Sequence, residues 1–291
     1  MKDIIEKASI LVESLPYIQK FRGKTFVIKY GGHAMENQQL KYSFAEDITL
    51  LKYVGINPII VHGGGPQIND FLERLNIESQ FKEGMRVTDS NVMEIVEMTL
   101  SGKINKEIVS LINKAGGKAV GISGRDSNLL KAKKLYVESK NQNGEKLLHD
   151  IGFVGEVEEV NVDFLNNLSE NYIPVIAPIG IDCNSNTYNI NADTAAGSIA
   201  GSLQAEKLLL LTDVDGVKDS NGNRISTIYK QTAEQLKEEG TLKGGMIPKI
   251  DCAIKAVENG VKKAHIIDGR IKHSILLEIF TDSGIGSEIV L

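Results

Sequence analysis

The chain has 291 residues, 42% of them hydrophobic and 24% charged, with a formal net charge of -5. That composition suits a globular protein with a sizeable core, and the acidic balance argues against a nucleic-acid partner, which calls for a basic face. No apolar run approaches the ~20 residues that span a bilayer, and acids and lysines are spread through residues 1–21, so a cytoplasmic protein with neither membrane partner nor secretory signal is expected.

Ile4, Ile5, Ala8, Leu11, Val12 and Leu15 follow helical spacing, which predicts an amphipathic N-terminal helix and an external arm over residues 1–24. Pro16 has no N–H to donate, so the helix is expected to end or kink near Leu15. Packing within the chain and a contact between subunits both fit its apolar stripe. Thr25 to Lys29 reads as a short buried strand, stopped by Gly31 and Gly32. Lys29 is out of place inside a core and fits the crevice at the carboxyl end of the strand. A snorkelling lysine beside an ordinary turn also fits. Leu40, Phe44, Ile48, Leu51 and Val54 predict a helix closed by Gly55. Asn57 to Gly65 then repeats the strand-and-glycine design, with Pro66 set for the first turn of a helix whose free amides can face an anion. A plain tight turn is the alternative.

Ser79 to Asp89 reads as a hairpin turning near Glu83-Gly84, which stands Arg86 beside the crevice; a solvated arginine fits as well. Ser90 to Ala115 reads as a helix with a break at Ser101-Gly102, and Lys118 to Ile122 as a strand. Residues 129–160 read as a hairpin with a charged, exposed tip around Asn141-Gly144. Ile173 to Ile179 is a further core strand. In the next segment Asn189, Asn191 and Asp193 alternate, so an extended backbone projects all three from one face. Asp193 capping the following small-residue helix by itself is the alternative. Lys207 to Asp213 is the most apolar strand, and Gly244 to Lys249 opens a helix as a phosphate grip, or as a turn with a surface lysine. A strand from His265 to Asp268, a helix from Ser274 to Phe280 and a strand from Gly286 to Leu291 close the chain. The alternation predicts an α/β fold, a three-layer sandwich around a mainly parallel central sheet, in two lobes meeting near Gly180.

With only Cys183 and Cys252, no CxxC spacing and scattered histidines, neither a disulfide framework nor a metal site is indicated. Both cysteines read as reduced packing residues. There is no GxxxxGK[ST] loop, no GxGxxG after the first strand, and no protein-kinase set of catalytic-loop Asp and DFG. Two lysines, three glycine loops, an arginine and an Asn/Asn/Asp rim suit phosphoryl transfer, where catalysis is mostly positioning and charge stabilisation. A carboxylate acceptor suits them best, because it needs no general base.

VIKYGG, VHGGGPQIN, GMRVTD, YNINADTAA, LLTDVDGV and GGMIPK, in order over nearly the whole chain, resemble the amino acid kinase family. Within it they resemble the branch acting on N-acetyl-L-glutamate; the spacing from HGGG to GMRVTD separates that branch from those acting on aspartate, glutamate, carbamate or uridylate. The resemblance implies transfer of the ATP γ-phosphoryl group to a side-chain carboxylate in arginine biosynthesis, with Mg2+ carried by the nucleotide. It implies an amino-acid-substrate and dimerisation lobe over residues 25–180 and a nucleotide-binding lobe over 181–291. Lys29 and Lys249 match the lysines that neutralise the transferring group, and Asp193 the carboxylate that holds them. Gly64, Gly65, Arg86, Asn189 and Asn191 match substrate contacts, and Gly31, Gly32, Thr212, Asp213 and Gly245 the nucleotide side. The N-terminal helix resembles that of arginine-inhibited members, which interlock dimers into a hexamer. His265, Glu278, Gly284 and Gly286 match their inhibitor site, with Ser287 where threonine is usual. A solvent-facing Glu278 is the alternative there. Another family member, a non-catalytic small-molecule sensor on the same fold, and a nicotinamide-dependent oxidoreductase are the competing readings.

Overall fold

The first strand emerges from a long helix. α1 (Lys2–Phe21) continues past Pro16, so of the expected end or kink near Leu15 the end does not occur: a proline removes one N–H donor, and the turns on either side carry the helix across. Ile10, Leu11, Val12 and Leu15 are 59, 72, 68 and 47% exposed, while Tyr17 and Phe21 reach the core. The structure, a computed structural model, describes residues 2–82, 84–140 and 146–291, and of residues 2–7 and 140 the backbone alone. Glu83 of the expected hairpin turn and the tip around Asn141-Gly144 lie outside the described residues.

β1 (Thr25–Tyr30) is buried over its last five residues and leads through Gly31 into a 3-10 turn. α2 (Gln38–Tyr53) starts on the Asn37 side chain, which accepts from the amides of Gln39 and Leu40, and ends before Gly55 at φ +92°. β2 (Asn57–His62) feeds α3 (Gly65–Arg74), which has Pro66 in its first turn. β3 (Phe81–Lys82) and β4 (Met85–Arg86) form the expected small hairpin. The helix expected from Ser90 to Ala115 is α4 (Ser90–Glu97) and α5 (Asn105–Lys114) joined by a π-helical stretch, Met98–Ile104. The anticipated break at Ser101-Gly102 is therefore a widened turn and not a stop. β5 (Ala119–Ser123) is followed by the long antiparallel pair β6 (Leu130–Lys140) and β7 (Lys146–Val160).

α6 (Val162–Asn171) precedes β8 (Ile173–Ala177). The single strand expected from Ile173 to Ile179 divides at Pro178, and β9 (Ile179–Ile181) leaves the main sheet. β10 (Thr187–Ile190), α7 (Ala192–Ser202) and β11 (Lys207–Thr212) follow. The sequence marks neither β12 (Thr227–Tyr229), three residues long, nor α8 (Lys230–Glu238), a mostly polar helix that buries only Ala233 and Leu236. α9 (Met246–Glu258), β13 (Lys263–Asp268), α10 (Ser274–Ile279) and β14 (Ser287–Val290) complete the chain.

Eight strands form one sheet in the order β12-β14-β13-β11-β1-β2-β8-β5, and every pair is parallel except β13 with β14. β10, β7, β6 and β9 close into a small barrel beside it. Alternate residues of the central strands point to opposite faces. Val27, Ile59, Val61, Leu208 and Leu210 pack with Ala195 and Ile199 of α7 and Ile250 and Val257 of α9. Phe26, Ile28, Ile60, Leu209 and Leu211 pack with Phe44, Ile48 and Leu51 of α2 and Ile108 and Ile112 of α5. Helices on both faces of a mainly parallel sheet give the expected three layers, and they bring the carboxyl ends of β1, β2 and β11 together.

Candidate active site

At those strand ends a cleft of about 450 Å3 opens, with Lys29, the glycines after β1 and β2, Arg86, Asn189, Asn191 and Asp193 on its wall. Lys29 is the fifth residue of β1, 9% exposed, in register with Val61 on one side and Leu210 on the other. Its ammonium stands 3.0 Å from Asp193 Oδ1, so it is not the snorkelling lysine of the alternative reading. Lys249, in the first turn of α9, reaches Asp193 Oδ2 at 2.6 Å. One carboxylate thus spaces two cations. Burial by itself would push the Asp193 carboxyl up, but the Lys29 and Lys249 ammoniums outweigh it and hold the group below the usual carboxylate range.

Local sequence explains this triad. Asp193 lies in the first turn of α7, and Asn191, not Asp193, is the N-cap: its Oδ1 accepts from the amides of Asp193 and Thr194 at 2.9 and 3.2 Å. The extended alternation expected through Asp193 therefore stops at Ile190, yet Asn189, Asn191 and Asp193 all line the cleft. α7 and α9 approach closely because Gly197 has no side chain; a Cβ there would lie 2.7 Å from Cys252 Sγ. The Cys252 thiol donates to the Asp193 carbonyl at 2.9 Å, and burial pushes its pKa up to about 12, so it stays a neutral donor.

The glycine loops allow close approach. A Cβ on Gly31 would sit 2.8 Å from Lys29 Nζ, and one on Gly32, at φ +71°, 2.4 Å from Asp213 Oδ1. Asp213 follows β11 directly and accepts from the His33 amide at 2.8 Å, which links the β1 turn to the end of β11. Thr212, Asp213 and Gly245 stand outside the cleft wall, as Lys249 does, on the side of β11 and α9.

Arg86 is buried, not solvated. Its guanidinium donates to Asn69 Oδ1 at 2.6 Å, to the Gly65 carbonyl at 3.4 Å and to Ser79 Oγ, and it lies 4.7 Å from the centre of the Phe81 ring. Among the described residues no carboxylate comes within 4.0 Å of it. A buried cation on a cleft wall, with neutral partners among the described residues, suits an anion. Sequence reading found Arg86 but not Asn69, Ser79 and Phe81, which lie 5 to 17 positions away and carry no periodic signal.

The residues matched to an inhibitor site form a separate buried cluster, none of them on the cleft wall. His265 Nδ1 contacts Glu278 Oε1 at 2.6 Å and its Nε2 faces Lys207 Nζ at 2.8 Å. Glu278 Oε2 accepts from the amides of Ile285 and Gly286 at 2.7 and 2.9 Å, so the solvent-facing alternative fails. Burial pushes the Lys207 ammonium down to about 8. Burial opposes ionisation of Glu278 too, but the His265 contact and the two amides hold its pKa below the usual range. Gly284, at φ +57°, and Gly286 leave room that a Cβ would take from Glu278 and from the Ile266 carbonyl. The Ser287 hydroxyl accepts from the Val217 amide at 2.9 Å.

The sequence pattern of the amino acid kinase family matches residues 24–268. An acetylglutamate kinase of Syntrophobacter fumaroxidans is 60% identical over 289 residues, 99% of this chain and 97% of its own. One of a Sulfurihydrogenibium species is 57% identical, with both chains covered in full. Among solved structures, the N-acetylglutamate synthase of Neisseria gonorrhoeae in complex with coenzyme A and N-acetyl-glutamate superposes with a TM-score of 0.84 at 27% identity. That match covers 98% of this chain and 63% of the synthase, so the chain spans less than two thirds of that protein. The carbamate kinase of Giardia lamblia bound to AMP-PNP shares the fold at a TM-score of 0.64 and 15% identity, over 92% of this chain and 98% of its own.

Proposed function

The chain belongs to the amino acid kinase family, and from that premise we propose that it transfers the γ-phosphoryl group of ATP to the side-chain carboxylate of N-acetyl-L-glutamate, in the cytoplasm, as a step of arginine biosynthesis. The observation that carries this reading is the placing on one cleft of Lys29 and Asp193, which also holds Lys249 just outside the wall, with a buried Arg86 that has no anionic partner among the described residues. Arg86 takes a substrate carboxylate, with the amides of Gly64 and Gly65 from the 25–180 lobe and Asn189 and Asn191 from the start of the 181–291 lobe completing the amino-acid side. Gly31, Gly32, Thr212, Asp213 and Gly245 take the nucleotide, whose phosphates carry Mg2+. A carboxylate oxygen attacks the γ-phosphorus as the bond to the β-phosphate bridging oxygen breaks, giving an acyl phosphate and ADP. Lys29 and Lys249 face the charge that spreads over the transferring oxygens, and Asp193 keeps them apart.

An ADP-release assay with N-acetylglutamate, glutamate and aspartate tests this. ADP formed with N-acetylglutamate alone is the expected result. Turnover of an unacetylated amino acid moves the chain to another branch of the family, and binding without turnover makes it a sensor. Thermal shifts with ATP but not NAD separate the kinase from an oxidoreductase.

Regulation is a second, finer part of the reading. We propose that L-arginine inhibits the enzyme by binding beside His265, Glu278, Gly284 and Gly286, and that the apolar face of α1 joins dimers into a hexamer, a trimer of dimers. The buried carboxylate of Glu278 can pair with a guanidinium, and the exposed Ile10, Leu11, Val12 and Leu15 supply a surface for a second copy. Arginine must bind the low-activity state more tightly than the active one. An arginine titration of the ADP-release assay, with the mass in solution followed in parallel, checks both statements.

A further inference from the structure

Beneath the second glycine loop, away from the reacting groups, lies a fully buried polar pair whose two members come from distant parts of the chain. Asn105, the first residue of α5, and His62, the last of β2, both show no exposed surface. A Cβ on Gly121 would lie 1.8 Å from Asn105 Oδ1, so β5 carries a glycine where the amide enters the sheet. Asn105 Nδ2 lies 2.8 Å from the Val175 carbonyl on β8, 3.3 Å from the Ile122 carbonyl on β5 and 3.3 Å from His62 Nε2. Its Oδ1 accepts from Lys106 Nζ at 3.1 Å.

These contacts admit one proton arrangement. Carbonyl oxygens only accept, so the two carbonyls fix the NH2 group of Asn105 toward the strands. The NH2 group has two protons for three acceptors and shares them with His62 Nε2, which disfavours a proton on that nitrogen, while the Gly63 carbonyl, which only accepts, sets the ring proton on Nδ1. Nδ1–H lies 2.9 Å from the Gly63 carbonyl and donates to it. Burial pushes the His62 pKa down to about 4, with Lys106 adding to that fall and the Gly63 contact opposing it, so the ring keeps this neutral form at physiological pH. The Gly63 carbonyl shares its peptide plane with the Gly64 N–H, which points the opposite way. Among the described residues none accepts from that N–H, and Gly64 is on the cleft wall.

We propose that His62 and Asn105 are positioning residues: the Asn105 amide fixes the His62 tautomer, and His62 holds the Gly63–Gly64 peptide so that the Gly64 N–H faces the carboxylate of the amino-acid substrate. The proposal rests on the kinase reading above and adds to it a relay from β5 and β8 to the substrate loop. Neither residue touches substrate. Both act through the orientation of one backbone amide, and loss of that orientation weakens substrate binding without altering the ATP side.

The test compares His62→Leu, which keeps the volume and loses the donor, with His62→Asn, whose amide stands where Nδ1 stood. His62→Leu is expected to raise the KM for N-acetylglutamate on the order of tenfold. The KM for ATP should stay within about twofold. His62→Asn should recover most of that loss. A packing role alone predicts the reverse order, because leucine fills a buried site better than asparagine, and that order, or equal effects, overturns the proposal. Imidazole 1H–15N spectra of the unmutated protein without substrate give a second reading that does not require turnover. A single Nδ1–H tautomer unchanged from pH 5 to 8 is expected, and Asn105→Leu should mix the tautomers. An Nε2–H tautomer, or titration in that range, overturns the relay even if N-acetylglutamate is phosphorylated. A protein that shows the expected tautomer but turns over no N-acetylglutamate sinks the kinase reading and leaves the relay standing.

Discussion

Asp193 holds Lys29 and Lys249 on its two oxygens, and the three charges are not equivalent in what their loss does. Lys249 opens a helix and has no backbone role at the strand end, so its removal takes one charge from Asp193 and little else, a charge aimed at the transferring group in the function proposed above. Lys249→Ala is expected to lower kcat by roughly 10²–10³-fold, as loss of a donor directed at transition-state charge does, with the KM for N-acetylglutamate within a few-fold. A normal kcat with only a raised KM would remove Lys249 from the chemistry. Arg86 stands at the other end of the cleft. Arg86→Lys keeps the charge but loses the planar fork that Asn69 and Ser79 hold in place, so the KM for N-acetylglutamate should rise while that for ATP stays nearly constant. A selective ATP defect would put Arg86 on the wrong substrate.

The α7–α9 contact shows how an element, more than a side chain, sets the geometry. Gly197 and Cys252 touch where the helices cross, one turn from the Asp193–Lys249 pair. Gly197→Ala should push the helices apart, at a cost of about 1–3 kcal/mol for an overpacked contact. It should also lower kcat by roughly tenfold through displacement of Lys249. Cys252→Ala in the same chain frees the space, so the double variant should regain much of the lost turnover; if it does not, the contact does not set the pair. This contact also shows where sequence reading stops. Lys29, the glycine loops and Asp193 could be read because each breaks a local pattern: a charge ending an apolar run, glycines before a helix, acids among small residues. Strand positions could be read for the same reason. Pro16 marks no end to α1, because the turns on either side carry the helix past the one missing donor. That Asn191 and not Asp193 caps α7 depends on where β10 ends, which the alternation does not mark. Gly197 with Cys252 and His62 with Asn105 are pairs 55 and 43 positions apart, and only the folded sheet and helices show that they meet.

For the whole molecule the N-terminal helix is the separable part. Its exposed residues Ile10, Leu11, Val12 and Leu15 support no part of the cleft, while Phe21 anchors its end in the core. On the assembly and inhibition proposed above, removal of residues 1–20 should convert hexamers into dimers by light scattering and abolish arginine inhibition, with kcat retained. A truncated protein that stays hexameric and fully sensitive would make α1 a packing element. The sheet order has a different consequence, in time. β1 pairs with β2 on one edge and with β11 on the other, and Lys207 lies roughly 180 positions after its partner Phe26. At about 5–20 residues per second, a ribosome leaves that edge unpaired for roughly 9–36 s. Until β11 emerges, a strand that the finished enzyme buries over its last five residues is an open apolar edge, the kind of surface that recruits other strands. The central position that places Lys29 at the cleft thus makes the nascent chain dependent on protection, and a chain halted near residue 200 should aggregate where the full-length protein stays in solution.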